Sequence, residues 1–498
     1  MSIERSAGIL LPISSLPSKY GIGTLGKKAY EFVDFLIDSK QTYWQVLPVG
    51  HTSYGDSPYQ CFSSFAGNPY FIDLDILCED GLLSTKDLEN IVVENETEVD
   101  YGYLYSYRYK LLYKAYINGK DKYSKEFKVF CDDNSFWLDD YALFMSLKKN
   151  FNDLSWQEWP DENIKLRKKD ALNKYKKLLK DDISFYEFIQ FLFFKQFSTL
   201  KNYANINGIK IIGDLPIYVA LDSAEVWADP NEFQLDEETL VPRNVAGVPP
   251  DYFSEEGQLW GNPLYDWDYM KKHNYEWWIL RLKGVSKYFD VIRIDHFIGF
   301  ERYWSVPFKE NTAKNGCYYK GPSIEFIDIV KDRLKDVDFI AEDLGVLNDD
   351  CINLLKHSGF PGMRVLEFSM SDDGTSYHSP HNHVNNCVCY ISTHDNEPIN
   401  GWFKNTNDND RRYSTNYYGL SEKEGYNWGF IRGGMNSVAN LFICQIQDYL
   451  GLGCEATINR PGTLGNWKWR LKENELTDEL KNRIAYITHA CNRDRKDG

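Results

Sequence analysis

Eight short apolar runs rich in β-branched residues, each closed by polar, Gly or Pro residues, punctuate the 498-residue chain and restrict its fold more than any other feature. They fall at 8–13, 43–49, 209–217, 291–296, 339–345, 362–368, 386–395 and 456–459. Amphipathic helical stretches lie between most of them, at 29–37 after the first run, 277–289 before the fourth and 324–334 before the fifth. Alternation of strand and helix implies parallel βα units. Nearly continuous apolar runs imply strands covered on both faces, and eight of them favour a closed (β/α)8 barrel, the TIM barrel, over an open doubly wound sheet. No G-x-G-x-x-G or G-x-x-x-x-G-K-[ST] loop follows any run, which removes the phosphate cradle that an open nucleotide-binding sheet would use.

The length allows a large core, and residues 1–498 are read as one barrel with insertions. Residues 68–201 are too many for a βα loop and carry helical patterns at 107–116, 141–148 and 183–203, so a mainly helical inserted subdomain is expected there. Residues 218–275, rich in Pro, Gly, Trp and Asp, read as an ordered functional loop region after the third strand.

In a parallel barrel the site lies at the carboxyl ends of the strands, and here those ends are acidic. The third run closes on Asp214, the fourth on Arg293 and Asp295 with His296, the fifth on Glu342, and the seventh on His394, Asp395 and Asn396. Alternation along a strand points Arg293 and Asp295 to one side, where the guanidinium lowers the carboxyl's pKa and favours an ionised nucleophile, or else forms a structural ion pair. Glu342, at the end of the next strand, supplies a second carboxyl for a general acid. Two carboxyls in two roles define glycosidic chemistry, which needs no cofactor and no metal. Tyr59, Tyr252, Phe253 and Trp260, on Gly- and Pro-rich loops, are candidate sugar faces and lids or simply loop packing. Arg364 closes the sixth run and can donate to hydroxyls or pair with a carboxylate, and Asp214 is expected to support the site. His394, Asp395 and Asn396 can grip the hydroxyls of one ring.

With 73 acidic against 56 basic residues and a formal charge of −17, the chain lacks the electrostatic footprint for nucleic acid or an anionic membrane. The apolar stretch 185–200 is interrupted by Glu187, Gln190, Lys195 and Gln196 and reads as a buried helix. Ten cysteines without disulfide or zinc spacing, and an amino terminus unlike a signal peptide, give the expectation of a reduced, cytoplasmic protein. His378, His381 and His383 read as a loop cluster rather than a metal site. The basic stretch 165–180 reads as a solvated helix face.

Nine blocks, in order along almost the whole chain, resemble the 4-α-glucanotransferases, the amylomaltases or disproportionating enzymes related to the α-amylase clan. They are Asp56-Ser-Pro-Tyr-Gln60, Phe65-Ala-Gly-Asn-Pro-Tyr70, Gly213-Asp-Leu-Pro-Ile-Tyr218, Gly247-Val-Pro-Pro-Asp-Tyr-Phe253, Gln258-Leu-Trp-Gly-Asn-Pro263, Val291-Ile-Arg-Ile-Asp-His-Phe297, Ala341-Glu-Asp-Leu-Gly345, Pro361-Gly-Met-Arg-Val-Leu366 and Thr393-His-Asp-Asn396. The resemblance implies Asp295 as nucleophile, Glu342 as acid/base and Asp395 as transition-state stabiliser, with Arg293 orienting Asp295 and His296 and His394 binding sugar hydroxyls. It implies malto-oligosaccharide, starch- or glycogen-derived donors and acceptors, glucose among them. The chain departs from the family pattern at Ile298, where an arginine is usual, and at Glu397-Pro398, where Asp-Thr is common. The carboxylates alone do not separate transfer from amylase-like hydrolysis, and the sequence leaves a monomer or a homodimer equally open.

Overall fold

The computed structural model describes residues 3–53, 55–250, 254–370 and 374–494. Its strands, in chain order among the described residues, are β1 (Ser6–Leu10), β2 (Tyr43–Gln45), β3 (Lys210–Leu215), β4 (Asn244–Val248), β5 (Gln258–Pro263), β6 (Val291–Ile294), β7 (Arg302–Pro307), β8 (Cys317–Lys320), β9 (Asp338–Ala341), β10 (Gly362–Val365), β11 (Cys387–Tyr390) and β12 (Leu441–Gln445). Eight of them close a parallel barrel in the order β1-β12-β11-β10-β9-β6-β3-β2. The expected (β/α)8 barrel is therefore present. Its strands are buried on both faces, as in β11, where Cys387 and Cys389 are core residues. The flanking helices turn one stripe inward. In the helix Lys27–Asp38 the buried residues Ala29, Phe32, Val33 and Leu36 recur at helical spacing, and the helix Asp349–Ser358 is capped by Asn348 at its start and by left-handed Gly359 at its end.

The eighth strand corrects the sequence reading. It is β12, Leu441–Gln445, whereas 456–459 follows a short 3-10 turn at Cys454–Ala456 and forms no strand. β4, β5, β7 and β8 form a separate antiparallel sheet in the order β5-β4-β7-β8, attached to the barrel rim through the chain leaving β3 and β6. Between β2 and β3 run the helices Tyr101–Gly119, Ser124–Asn150 and Lys180–Ile206, where Phe188, Phe191, Phe193, Phe194 and Phe197 build an aromatic core. The 165–180 stretch is mostly the exposed helix Lys169–Leu178. At the floor of the barrel Arg5 and Arg493 both donate to the carbonyls of Met435, Ser437 and Ala439, and Arg493 also reaches Ser6 and Asn440.

Candidate active site

β3 and β6 are adjacent, and their register sets Asp214 beside Arg293. Arg293 Nη1 donates to Asp214 Oδ1 at 2.6 Å and Oδ2 at 2.7 Å, and to Asp295 Oδ1 at 3.2 Å. Asp214 is sealed, while the Asp295 side chain keeps 26% of its surface exposed, toward the mouth. The alternation read from the sequence thus brings Arg293 and Asp295 together, with Asp214 as the guanidinium's main partner. Asp214 Oδ2 also accepts from the Tyr59 hydroxyl at 2.7 Å. Tyr59 lies 2.7 Å from His394 Nε2, which is 3.2 Å from Asp395 Oδ2, and Asn459 Nδ2 donates to Asp395 Oδ1 at 2.6 Å. Because burial keeps the Tyr59 phenol protonated and donating to Asp214, the network assigns the proton of His394 to Nε2.

Glu342 follows β9 and is held by main chain. His296 N donates to Oε2 at 2.6 Å and Leu344 N to Oε1 at 2.9 Å. His296 itself adopts a left-handed conformation, φ 49°, which few non-glycine residues adopt without support. Here the support is the Glu342 bond together with Phe297 N donating to the Glu342 carbonyl at 3.0 Å.

The carboxyls hold protons unequally. Burial pushes Glu342 up to about 8, Arg293 and the two amides opposing it and the Asp295 charge adding to it. Burial pushes Asp295 up to about 6, against the pull of Arg293, so the expected lowering by the guanidinium is present but outweighed. Desolvation pushes Asp395 up as well, although its side chain keeps 39% of its surface exposed, yet His394 and Asn459 bring it down to about 2. Over the pH range between the first two values the rim carries a protonated Glu342 and ionised Asp295 and Asp395.

Around these groups the His296 ring meets Trp260 edge-on at 5.0 Å, and Tyr59 stacks on His394 and leans on Trp467. Arg364 Nη1 is bonded to Asp343 Oδ2 at 2.9 Å and lies over the Tyr377 ring. Asn396 Oδ1 accepts from Thr393 N and Oγ1, closing its own turn. Tyr252 and Phe253 lie outside the described residues. Glu397 accepts from Asn405 Nδ2 at 3.0 Å and faces Arg460 at 3.6 Å, while Ile298 sits half-buried in the turn Phe297–Phe300. The histidine cluster is engaged piecemeal: His378 Nδ1 accepts from Val365 N, His381 faces the Tyr417 hydroxyl, and His383 Nε2 faces the His378 carbonyl. Among the described residues no group of three His, Cys, Asp or Glu is arranged to hold a metal.

Sequence reasoning missed Asn459, Trp467 and Asp343, and the main-chain donors that fix Glu342. Asn459 had been placed in a strand. An acid directly after Glu342 was the available signal for Asp343.

Fold and site together define a (β/α)8-barrel protein with a rim of three carboxyls at staggered protonation. Within that class, the sequence profile of the 4-alpha-glucanotransferase family matches residues 11–477, and the chain belongs to that family. It is 51% identical over 484 residues to the 4-alpha-glucanotransferase of Clostridium butyricum, covering 97% of this chain and 99% of the relative. It is 43% identical over 507 residues to that of Thermus thermophilus, covering 99% and 100%. The solved amylomaltase from Streptococcus agalactiae in complex with acarbose superposes with a TM-score of 0.97 at 41% identity, over 99% of this chain and 100% of that one. The amylomaltase from Corynebacterium glutamicum shares the fold, with a TM-score of 0.80 at 18% identity over 99% of this chain and 75% of that one.

Proposed function

We propose that the protein transfers segments of α-1,4-glucan between malto-oligosaccharides by a retaining double displacement. The observation that carries this reading is the unequal hold of Asp295 and Glu342 on their protons at one rim of a family-matched barrel. Protonated Glu342 gives its proton to the departing glucosidic oxygen while an Asp295 oxygen bonds to the anomeric carbon, leaving a glycosyl ester. Ionised Glu342 then takes the proton of an incoming 4-hydroxyl, whose oxygen displaces Asp295. Two inversions keep the α configuration. Ionised Asp395 stabilises the positive charge that develops on the ring. Arg293 orients Asp295, and Asp214 and Tyr59 hold Arg293 and His394 in place. His296, His394 and Asn396 meet sugar hydroxyls, Trp260 with Tyr252 and Phe253 supplies apolar sugar faces, and Arg364 donates from the rim. The segment 68–201 acts as a helical subdomain walling one side of the mouth, and 218–275 as the loop region over it.

The substrates are maltodextrins derived from starch or glycogen, with glucose as an acceptor, and the compartment is the cytoplasm. Ten unbonded cysteines support a reducing environment, and among the described residues no helix is long and apolar enough to cross a membrane. Incubation with pure maltotriose tests the reading: chromatography should show glucose together with chains longer than three units. Shorter sugars alone would leave hydrolysis in place of transfer.

A further inference from the structure

The loop that carries His394 and Asp395 is fastened at both ends by one carboxyl group. Asp448 lies in the helix Ile446–Leu450 directly after β12 and is fully buried. Its Oδ2 accepts from Ser392 Oγ at 2.7 Å, two residues past β11's buried end, and its Oδ1 accepts from Ile399 N at 2.7 Å, where the next helix begins. Ser392 Oγ in turn accepts from Gln445 Nε2 at 2.7 Å, and Asn427 Nδ2 donates to the Asp448 carbonyl at 2.8 Å. The neighbouring Gln447 Nε2 holds the Ala456 carbonyl at 3.2 Å, on the segment leading to Asn459, whose backbone N donates to the His394 carbonyl at 3.1 Å. We propose that Asp448 is a positioning residue: its two oxygens, one on each end of the 392–399 loop, set the pose in which Asp395 meets the reacting ring.

Ile399 N can only donate and fixes one Asp448 oxygen as its acceptor, while the Ser392 hydroxyl donates to the other; an amide at this position would keep the first bond and reverse the second, turning an N–H toward Ser392 Oγ and weakening the clamp at that end. Among the described residues no cation pairs with this carboxyl. Its acidic neighbour Glu367 is itself pushed well above the usual carboxylate range by burial, with Asp448 and Glu397 adding to the shift. Burial lifts Asp448 to about 6, its two donors opposing. A buried acid without a counterion is a costly way to gain stability, and the geometry it enforces is the return.

The inference rests on the proposed role of Asp395, and the test separates the two. Steady-state transfer from maltotriose at 25 °C is compared in Asp448→Asn, Ser392→Ala, Asp395→Asn and Arg5→Ala, the last removing main-chain bonds at the barrel floor, far from the loop. Displacement of a group by a fraction of an ångström predicts a kcat loss of ~10–100-fold in Asp448→Asn and ~3–10-fold in Ser392→Ala, with KM changed by less than ~2-fold. Arg5→Ala should lower Tm and keep kcat. Full kcat in Ser392→Ala and Asp448→Asn, beside collapse in Asp395→Asn, would overturn the positioning role alone. A loss that follows Tm equally in Arg5→Ala would assign the effect to stability and overturn it too. Full activity in Asp395→Asn would remove the proposed role of Asp395, and the clamp with it. If Asp448→Asn does not fold, Ser392→Ala decides.

Discussion

Glu342 and Asp295 differ by one methylene, and the barrel separates them by environment. Glu342 is buried and touches only amides, while the half-buried Asp295 touches a guanidinium. Activity requires the first ionised and the second protonated. The profile of kcat/KM should therefore rise with pH through about 6, as Asp295 loses its proton, and fall through about 8, as Glu342 loses its own. Activity undiminished well above pH 9 would take Glu342 out of the acid's role. Glu342→Gln should cost ~10²–10⁴-fold with maltotriose and far less with a maltosyl fluoride in the first step, since fluoride departs without a proton. Asp295→Asn should lose nearly all turnover with either donor while keeping the wild-type Tm within a few degrees. At this scale the acids were legible because a carboxylate ending an apolar strand is conspicuous in any sequence. Their holders were not. The amide that serves Glu342 belongs to His296, a residue in a left-handed turn that no side-chain pattern announces, and Asn459 reaches Asp395 from 64 residues away.

Elements were readable where local pattern and tertiary role agreed. Seven strands announce themselves as continuous apolar runs, because each is buried on both faces, and their helices by period, because each is buried on one. β12 did not, since Leu441–Gln445 runs straight into the helix Ile446–Leu450 and the apolar stretch around the boundary suits either structure. The β5-β4-β7-β8 sheet was hidden for another reason: it is two antiparallel pairs from separate crossovers, and the β4–β7 pairing that joins them shows in no contiguous stretch. Packing between elements is tight beside the site. At Gly213, next to Asp214, an added Cβ would overlap the ring of Phe289, which packs on Phe197. Gly213→Ala should destabilise the protein by ~1–3 kcal/mol, read from the denaturant midpoint, and depress kcat as β3 shifts Asp214 against Arg293. An unchanged midpoint would mean that Phe289 moves aside freely.

The molecule as a whole buries acids that resist ionisation. Besides Glu342, burial pushes Glu225 and Glu187 each up to about 7. A carboxyl with a raised folded-state pKa binds more protons folded than unfolded, so its favourable contribution is lost as pH climbs through the folded value. Buried His51 and half-buried His296, brought down to about 3 and about 4 by desolvation, act in the opposite sense but only below about 6.5, where the unfolded imidazoles charge. Between pH 6.5 and 8.5 the acids act in the same sense as His394, which Asp395 holds above the usual imidazole value against burial, and Tm by calorimetry should fall across that interval; a flat or rising Tm would contradict the buried protonated carboxyls. The seam where Ser6 pairs with Leu441 adds a constraint in time. At ~5–20 residues per second a ribosome needs ~20–90 s after making β1 to deliver β12, and until then one edge of β1 has no neighbour. The nascent chain must keep that edge from pairing elsewhere, and the arginines at the floor can share their carbonyls only after Arg493, made long after Arg5, has left the ribosome.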